Sequence, residues 1–187
     1  MRNLLYEPLP DTVEVNGKEY RIITDFREWL RFSDLLGDDG VNEQQKLSLM
    51  LNWFEELPPL SEIEAAISAL IAFCINEGET KNKPKMHGNS VKKILSWSFD
   101  SPYIYAAFLS VYRIDLIQIE YLHWHMFLAL FNALPEDTPI RQRMVYRTVN
   151  PAEIKDKKER QRIRRIQREI RIPSKPMSAA EIGAVFG

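Results

Sequence analysis

The stretch Leu116-Ile117-Gln118-Ile119-Glu120-Tyr121-Leu122-His123-Trp124-His125-Met126-Phe127-Leu128-Ala129-Leu130-Phe131-Asn132-Ala133-Leu134 decides between two kinds of protein. It is apolar on nearly every side, so as a helix it either crosses a bilayer or forms the centre of a packed bundle. Gln118, Glu120, His123, His125 and Asn132 interrupt it, and a charged residue at mid-bilayer costs about 2.5–3.5 kcal/mol even on insertion scales. A buried central helix, capped by Asp115 and running to Leu134, is the better reading. Its packing partners follow from the aromatic residues around it, Trp97, Phe99, Tyr103, Tyr105, Phe108, Tyr112, Tyr121, Trp124, Phe127 and Phe131. Each aromatic ring buries a large area, so a core is their simplest use.

Helix punctuation extends outward from that centre. Asp100-Ser101-Pro102 puts proline in a first helical turn, where its missing N–H is harmless, and predicts a helix over Tyr103–Tyr112. Thr138-Pro139 repeats the signal for a helix to Val149, and Val91-Lys92-Lys93-Ile94-Leu95 reads as a short helix. Upstream, Gly78 to Ser90 is a polar loop, and Ser61-Glu62-Ile63-Glu64 resembles a capping box for a helix ending near Asn76. Asn42 opens a helix through Leu47, Leu51 and Phe54 that Pro58-Pro59 stops. Thr24 or Asp25 caps another, with Phe26, Trp29, Leu30 and Leu36 on its apolar face. At the start, Asp11 to Val15 and Tyr20 to Ile23 flank Asn16-Gly17, whose tolerance of positive φ predicts a β-hairpin. The fold expected is mostly α: a helical bundle with a small N-terminal hairpin and an extended basic C-terminal helix.

That last helix, opened by Pro151 and running from Ala152 to about Ile172, carries the unusual composition. The net charge of the chain is −1, yet residues 1–140 hold 12 Lys and Arg against 21 Asp and Glu, and residues 141–175 hold 13 against 4. The division expected is a body, 1–150, and an arm with a short tail, 151–187. Ile163, Ile166 and Ile170 recur at i, i+3 and i+7, one narrow apolar stripe on a charged rod. Arg160, Arg164, Arg165 and Arg168 surround the stripe. Such a rod is a solvated helix, a helix that docks on an acidic protein surface, or a neutraliser of nucleic-acid phosphates. Interspersed acids, the absence of aromatics within 151–172 and an acidic body argue for protein docking, with the seven residues just named as the contact set.

Chemistry is otherwise sparse. Seven glycines and no Gly-rich phosphate loop or GxSxG elbow give no catalytic motif. Cys74 is the single cysteine, which excludes an internal disulfide, and its apolar surroundings suit a packed thiol better than a nucleophile. His123 and His125, two apart on a helix, point about 200° away from each other and share no metal. Asp25, Asp100 and Asp115 each stand at a helix start, where a carboxylate satisfies orphan N–H groups. Neither a cofactor nor a metal is expected, and the chain is read as a non-enzyme. The N-terminus lacks the apolar run of a signal peptide, which gives an expectation of a cytoplasmic protein.

Several blocks resemble a known family in order. Asp25-Phe26-Arg27, Tyr103-Ile104-Tyr105-Ala106-Ala107-Phe108-Leu109, Tyr112-Arg113-Ile114-Asp115-Leu116, Leu122-His123-Trp124 with Phe127, and Met144-Val145-Tyr146-Arg147 are similar to the phage "gene product fifteen" family over roughly residues 3–160. Arg113 stands where that pattern expects glycine, and His125 where a second aromatic is common. The resemblance implies a siphophage or prophage protein of Gram-positive hosts, encoded beside the tail-tube and tape-measure genes and working in the host cytoplasm. It implies a tail-assembly chaperone role, for which the tape-measure or tail-tube protein is the expected partner; self-association, with the basic arm on the acidic body of another copy, is expected instead from the charge split. The alternative is a nucleic-acid-binding regulator or packaging factor that uses the basic helix.

Overall fold

Asn16-Gly17 makes the tight turn that the sequence predicts. In the computed structural model, which describes residues 6–76 and 93–173, both have positive φ, 49° and 83°, as a type I′ turn requires. They join β1 (Thr12–Val15) to β2 (Lys18–Arg21) in an antiparallel pair, with Val13 opposite Tyr20 and Glu14 opposite Glu19. Val13, Val15 and Tyr20 are buried, whereas Glu14 and Glu19 face out.

The chain divides into two compact units that are not contiguous in sequence: Met1–Gly88 with Ile114–Ala133, and Asn89–Arg113 with Leu134–Gly187. The boundary expected after residue 150 thus falls inside the second unit. The polar loop expected at 78–90 and the tail beyond 173 lie outside the described residues.

In the first unit, α1 (Phe26–Leu36) starts where Asp25 Oδ1 accepts the Arg27 N–H at 2.9 Å. It buries Phe26, Trp29 and Phe32, while Leu36, expected on the same face, is exposed. Asn42 caps α2 (Glu43–Met50), which tightens into a 3-10 turn at Leu51–Trp53 well before the prolines. Leu47 is consequently exposed, and Met50, Trp53 and Phe54 are the buried side chains of this segment. A 3-10 turn, Leu60–Glu62, precedes α3 (Ile63–Cys74) without a side-chain cap from Ser61 or Glu62. Ala66, Ile67, Leu70, Phe73 and Cys74 form the buried face of α3, and the helix packs on β1.

The long helix expected from Asp115 to Leu134 does not form. Its helical part is α5 (Trp124–Asn132), nine residues. Tertiary hydrogen bonds claim the backbone ahead of it. Asp115 Oδ1 accepts the N–H groups of Ile117 and Gln118 in a turn, and Arg27 Nη2 takes the carbonyls of Leu116 and Ile119. Phe26 N–H donates to Leu122 O at 2.9 Å and Trp124 N–H to Thr24 O at 2.8 Å. A helix through 116–123 could keep the Asp115 contacts, which have N-cap geometry, but it would compete for the carbonyls that Arg27 takes and for the Leu122 and Trp124 backbone groups paired with Phe26 and Thr24. Of the ten aromatic residues expected to form the core, Phe108, Trp124, Phe127 and Phe131 are buried, whereas Tyr103 and Tyr121 are exposed; in the first unit Phe26 stacks on Phe127 at 4.9 Å, and Trp29 meets Phe73 at 4.6 Å and Phe32 at 5.0 Å. The indoles of Trp29 and Trp124 donate to Ile23 O and Cys74 O, whereas the buried Trp53 Nε1 finds no hydrogen-bond partner among the described residues.

The second unit contains α4 (Ser101–Tyr112), α6 (Pro139–Thr148) and α7 (Lys157–Glu169), with α4 and α7 both packed on α6. Ile104, Ala107 and Phe108 face inward from α4 and Ile140 from α6. The single basic helix expected from Ala152 is two pieces, a 3-10 turn at Pro151–Glu153 and α7, because Asp156 Oδ1 caps the Glu159 N–H at 2.7 Å and restarts the helix. Lys93 to Ser96 are irregular, so the short helix expected over 91–95 is absent from its described part. Among the described residues no helix is long and apolar enough to cross a membrane.

Arg113 ends α4 in the left-handed region, φ 59° and ψ 24°. A side chain there is strained and glycine is not. Arg113→Gly should therefore raise unfolding stability by about 0.5–1 kcal/mol, read as a higher urea midpoint at an unchanged slope; a lower midpoint would mean that the arginine makes a compensating contact.

Candidate functional site

Asp100 is 0% exposed, and its carboxylate does not cap α4. Instead Arg147 grips it with two parallel bonds, Nη1 to Oδ2 at 2.6 Å and Nη2 to Oδ1 at 2.8 Å. The Ser96 N–H adds 3.1 Å to Oδ2 and Arg143 Nε adds 3.3 Å to Oδ1. Four donors occupy the carboxylate, so no lone pair is left open to a further partner. The same Arg147 donates through Nε to Ile170 O at 3.0 Å and through Nη1 to Ile94 O at 2.8 Å. One guanidinium thereby ties together the start of α4, the last turn of α6, the 93–96 segment and the end of α7. Arg143 lies 4.0 Å from the Tyr103 ring centroid, a cation–π contact beside the pair. Sequence reasoning takes Asp100 for a cap, passes over Arg143 and meets Arg147 only as the end of the Met144-Val145-Tyr146-Arg147 block. Their i, i+4 spacing on one helix is the signal present.

This clamp fixes which side of α7 is available. Ile163 and Ile170 are buried within the second unit and Ile166 is half-buried. The Gln167 amide donates to Tyr146 O and Val149 O, both at 2.8 Å. Arg160 is folded back on Ile154 O at 2.7 Å. Of the seven residues expected to dock, these apolar ones and Arg160 are therefore engaged by their own unit, and Arg164, Arg165 and Arg168 remain exposed. Lys157, Arg164 and Arg168 fall at i, i+7 and i+11, one row about 16 Å long on a helix rising 1.5 Å per residue. None of the three is ion-paired among the described residues. Beside them the charges are mixed: Arg162 meets Glu159 at 3.1 Å and Arg165 meets Glu169 at 3.8 Å.

Charge follows the structural division. The first unit carries 9 Lys and Arg against 18 Asp and Glu, and the second 16 against 8, nets of −9 and +8 that sum to the −1 of the chain. The imbalance read from the sequence as body against arm is thus an imbalance between two folded units.

His123 and His125 do not point apart as a helical spacing requires, because His123 precedes α5 with extended backbone, φ −61° and ψ 138°. Their rings are 5.4 Å apart, and His125 stacks on Phe73 at 4.3 Å. His123 Nδ1 accepts the His125 N–H, and Nε2 stands 2.9 Å from Pro10 O. A carbonyl only accepts, so Nε2 carries the proton and the ring is the neutral Nε2–H tautomer. Among the described residues no three His, Cys, Asp or Glu side chains gather as a metal set. Burial pushes the Cys74 thiol up, with the Ser33 hydroxyl at 3.5 Å pulling weakly the other way. Such a thiol is a poor nucleophile.

Removing one partner of a buried ion pair strands the other, whereas replacing both does not. Arg147→Met should lower stability by about 3–5 kcal/mol, and Asp100→Leu/Arg147→Met should recover most of that loss. Urea unfolding of the two variants checks this; equal losses would mean that Arg147 matters through its bonds to Ile94 O and Ile170 O alone.

A family model described as Bacteriophage Gp15 protein matches residues 5–172. No curated protein and no solved structure gives a significant match.

Proposed function

The chain belongs to the Bacteriophage Gp15 protein family, and we propose that it works without catalysis, as a chaperone-like factor in assembly of the phage tail. The observation that carries this reading is the unpaired row Lys157, Arg164 and Arg168 on the outer side of a helix whose inner side is anchored. A rigid basic row suits an acidic protein surface. It attracts the partner over a distance comparable with the screening length and aligns it on contact. A long helical tape-measure protein or a tail-tube subunit, the partners implied by the tail-gene context of the resemblance, is the occupant proposed. The site of action is the host cytoplasm, where such a factor would hold its partner until tube subunits displace it.

Nucleic acid is the second reading, favoured by the same row of cations. It predicts binding that falls steeply with salt. The acids Glu159 and Glu169 within α7 and the −9 of the first unit oppose it.

The decisive variant is a charge reversal on the exposed side. Deleting 151–187 would remove Ile163 and Ile170 and the carbonyl that Arg147 grips, so it would disturb the fold as well as the surface. Co-expression with the tape-measure protein should give a complex at low salt that Arg164→Glu/Arg168→Glu weakens by about tenfold or more. Retention of nucleic acid rather than any tail protein, seen as a raised ratio of absorbance at 260 over 280 nm and abolished by the same variant, would reverse the assignment.

A further inference from the structure

We infer that the basic row of α7 docks on the acidic unit of a second copy of this chain, at the outward face of its hairpin, so that copies associate head to tail. The inference rests on reading α7 as a protein-docking face. Three observations lead to it. The complement is carried by the chain itself, −9 on one unit and +8 on the other, so any two copies bring matching surfaces. The hairpin then singles out a place. Glu14 and Glu19 are directly opposite each other across β1 and β2, and both are exposed. Like charges in that position repel and destabilise a two-stranded pair. The nearby cations do not relieve them: Lys18 turns its Nζ over the Tyr20 ring at 4.5 Å, and Arg21, on the same face, is ion-paired to neither. Asp11 adds a further exposed carboxylate just before β1.

Dimensions agree. Four residues of strand span about 13 Å at 3.3 Å each, and the row from Lys157 to Arg168 spans about 16 Å. The contact uses a different surface on each copy, so it leaves one basic and one acidic face free. Such a contact either closes into a ring or continues as a chain. Because it is built from exposed charges, it should dissolve when salt shortens the screening length.

The test is sedimentation velocity on the full chain over a range of concentrations, at about 50 mM and about 500 mM salt. The mass should grow with concentration at low salt and fall to the monomer at high salt. Arg164→Glu/Arg168→Glu and Glu14→Lys/Glu19→Lys, each checked for native circular dichroism, should each self-associate about tenfold more weakly or worse. Mixing these two variants should restore association, because each then offers the charge that the other lacks. A wild-type chain that stays monomeric at low salt overturns the inference, as does self-association that neither reversal weakens or a mixture that does not recover. A chain that stays monomeric yet captures a tail protein through α7 leaves the proposed function standing and removes this inference alone. Copies that associate as described while no tail protein is retained support this inference and remove the tail-protein partner.

Discussion

A carboxylate with no exposed surface sets the terms for the second unit. A buried charge is tolerated only where ionised or strongly polar partners replace its water, and Asp100 finds four donors within 3.3 Å. The partner that supplies two of them, Arg147, has donors left over, and it directs them to the carbonyls of Ile94 and Ile170. The irregular segment before α4 and the end of α7 are thereby positioned by polar bonds at a place where few apolar side chains could reach both. The arrangement fixes geometry more than it adds net stability, since buried pairs seldom outperform well-packed apolar side chains. By holding the end of α7 against α6, it decides which cations face outward.

The first unit depends on a different constraint, the backbone between Arg21 and Phe26. On one side Ile23 N–H donates to Trp53 O and Glu55 N–H to Arg21 O; on the other, Thr24 O and Phe26 N–H pair with Trp124 and Leu122. This short strip joins the hairpin to two remote segments and delivers Phe26 and Trp29 into the aromatic core. The Arg27 guanidinium extends the same logic to the turn at 115–119, taking two carbonyls that a helix would have used itself.

Much of this is legible from local signals. Asn16-Gly17 places the hairpin, and Asp25, Asn42 and the prolines near 102 and 139 mark helix starts, because those residues act within a few positions of themselves. Continuity of apolar character misleads at Leu116–Leu134, since periodicity cannot register hydrogen bonds arriving from Thr24, Phe26 and Arg27, about a hundred residues away. The capping reading of Asp100 fails for the same reason, its partners lying on α6. The family is legible through blocks such as Tyr112-Arg113-Ile114-Asp115-Leu116, and the left-handed Arg113 explains why that pattern expects glycine. The isoleucine stripe of α7 is visible in the sequence as apolar, but periodicity alone does not say that the helix would bury Ile163 and Ile170 within its own unit.

The interleaving of the two units has a consequence during synthesis. Phe26 stacks on Phe127, so the first unit cannot close its core until about a hundred further residues have been translated. At roughly 5–20 residues per second that is a wait of about 5–20 s. Throughout it Phe26 lacks the ring it stacks on, although Phe32 already has Trp53 at 5.2 Å and Trp29 has Phe73. The second unit begins within that interval and finishes after it. A nascent chain of this kind reaches its native arrangement late, and the ribosome-bound stage is when it is most open to non-native association.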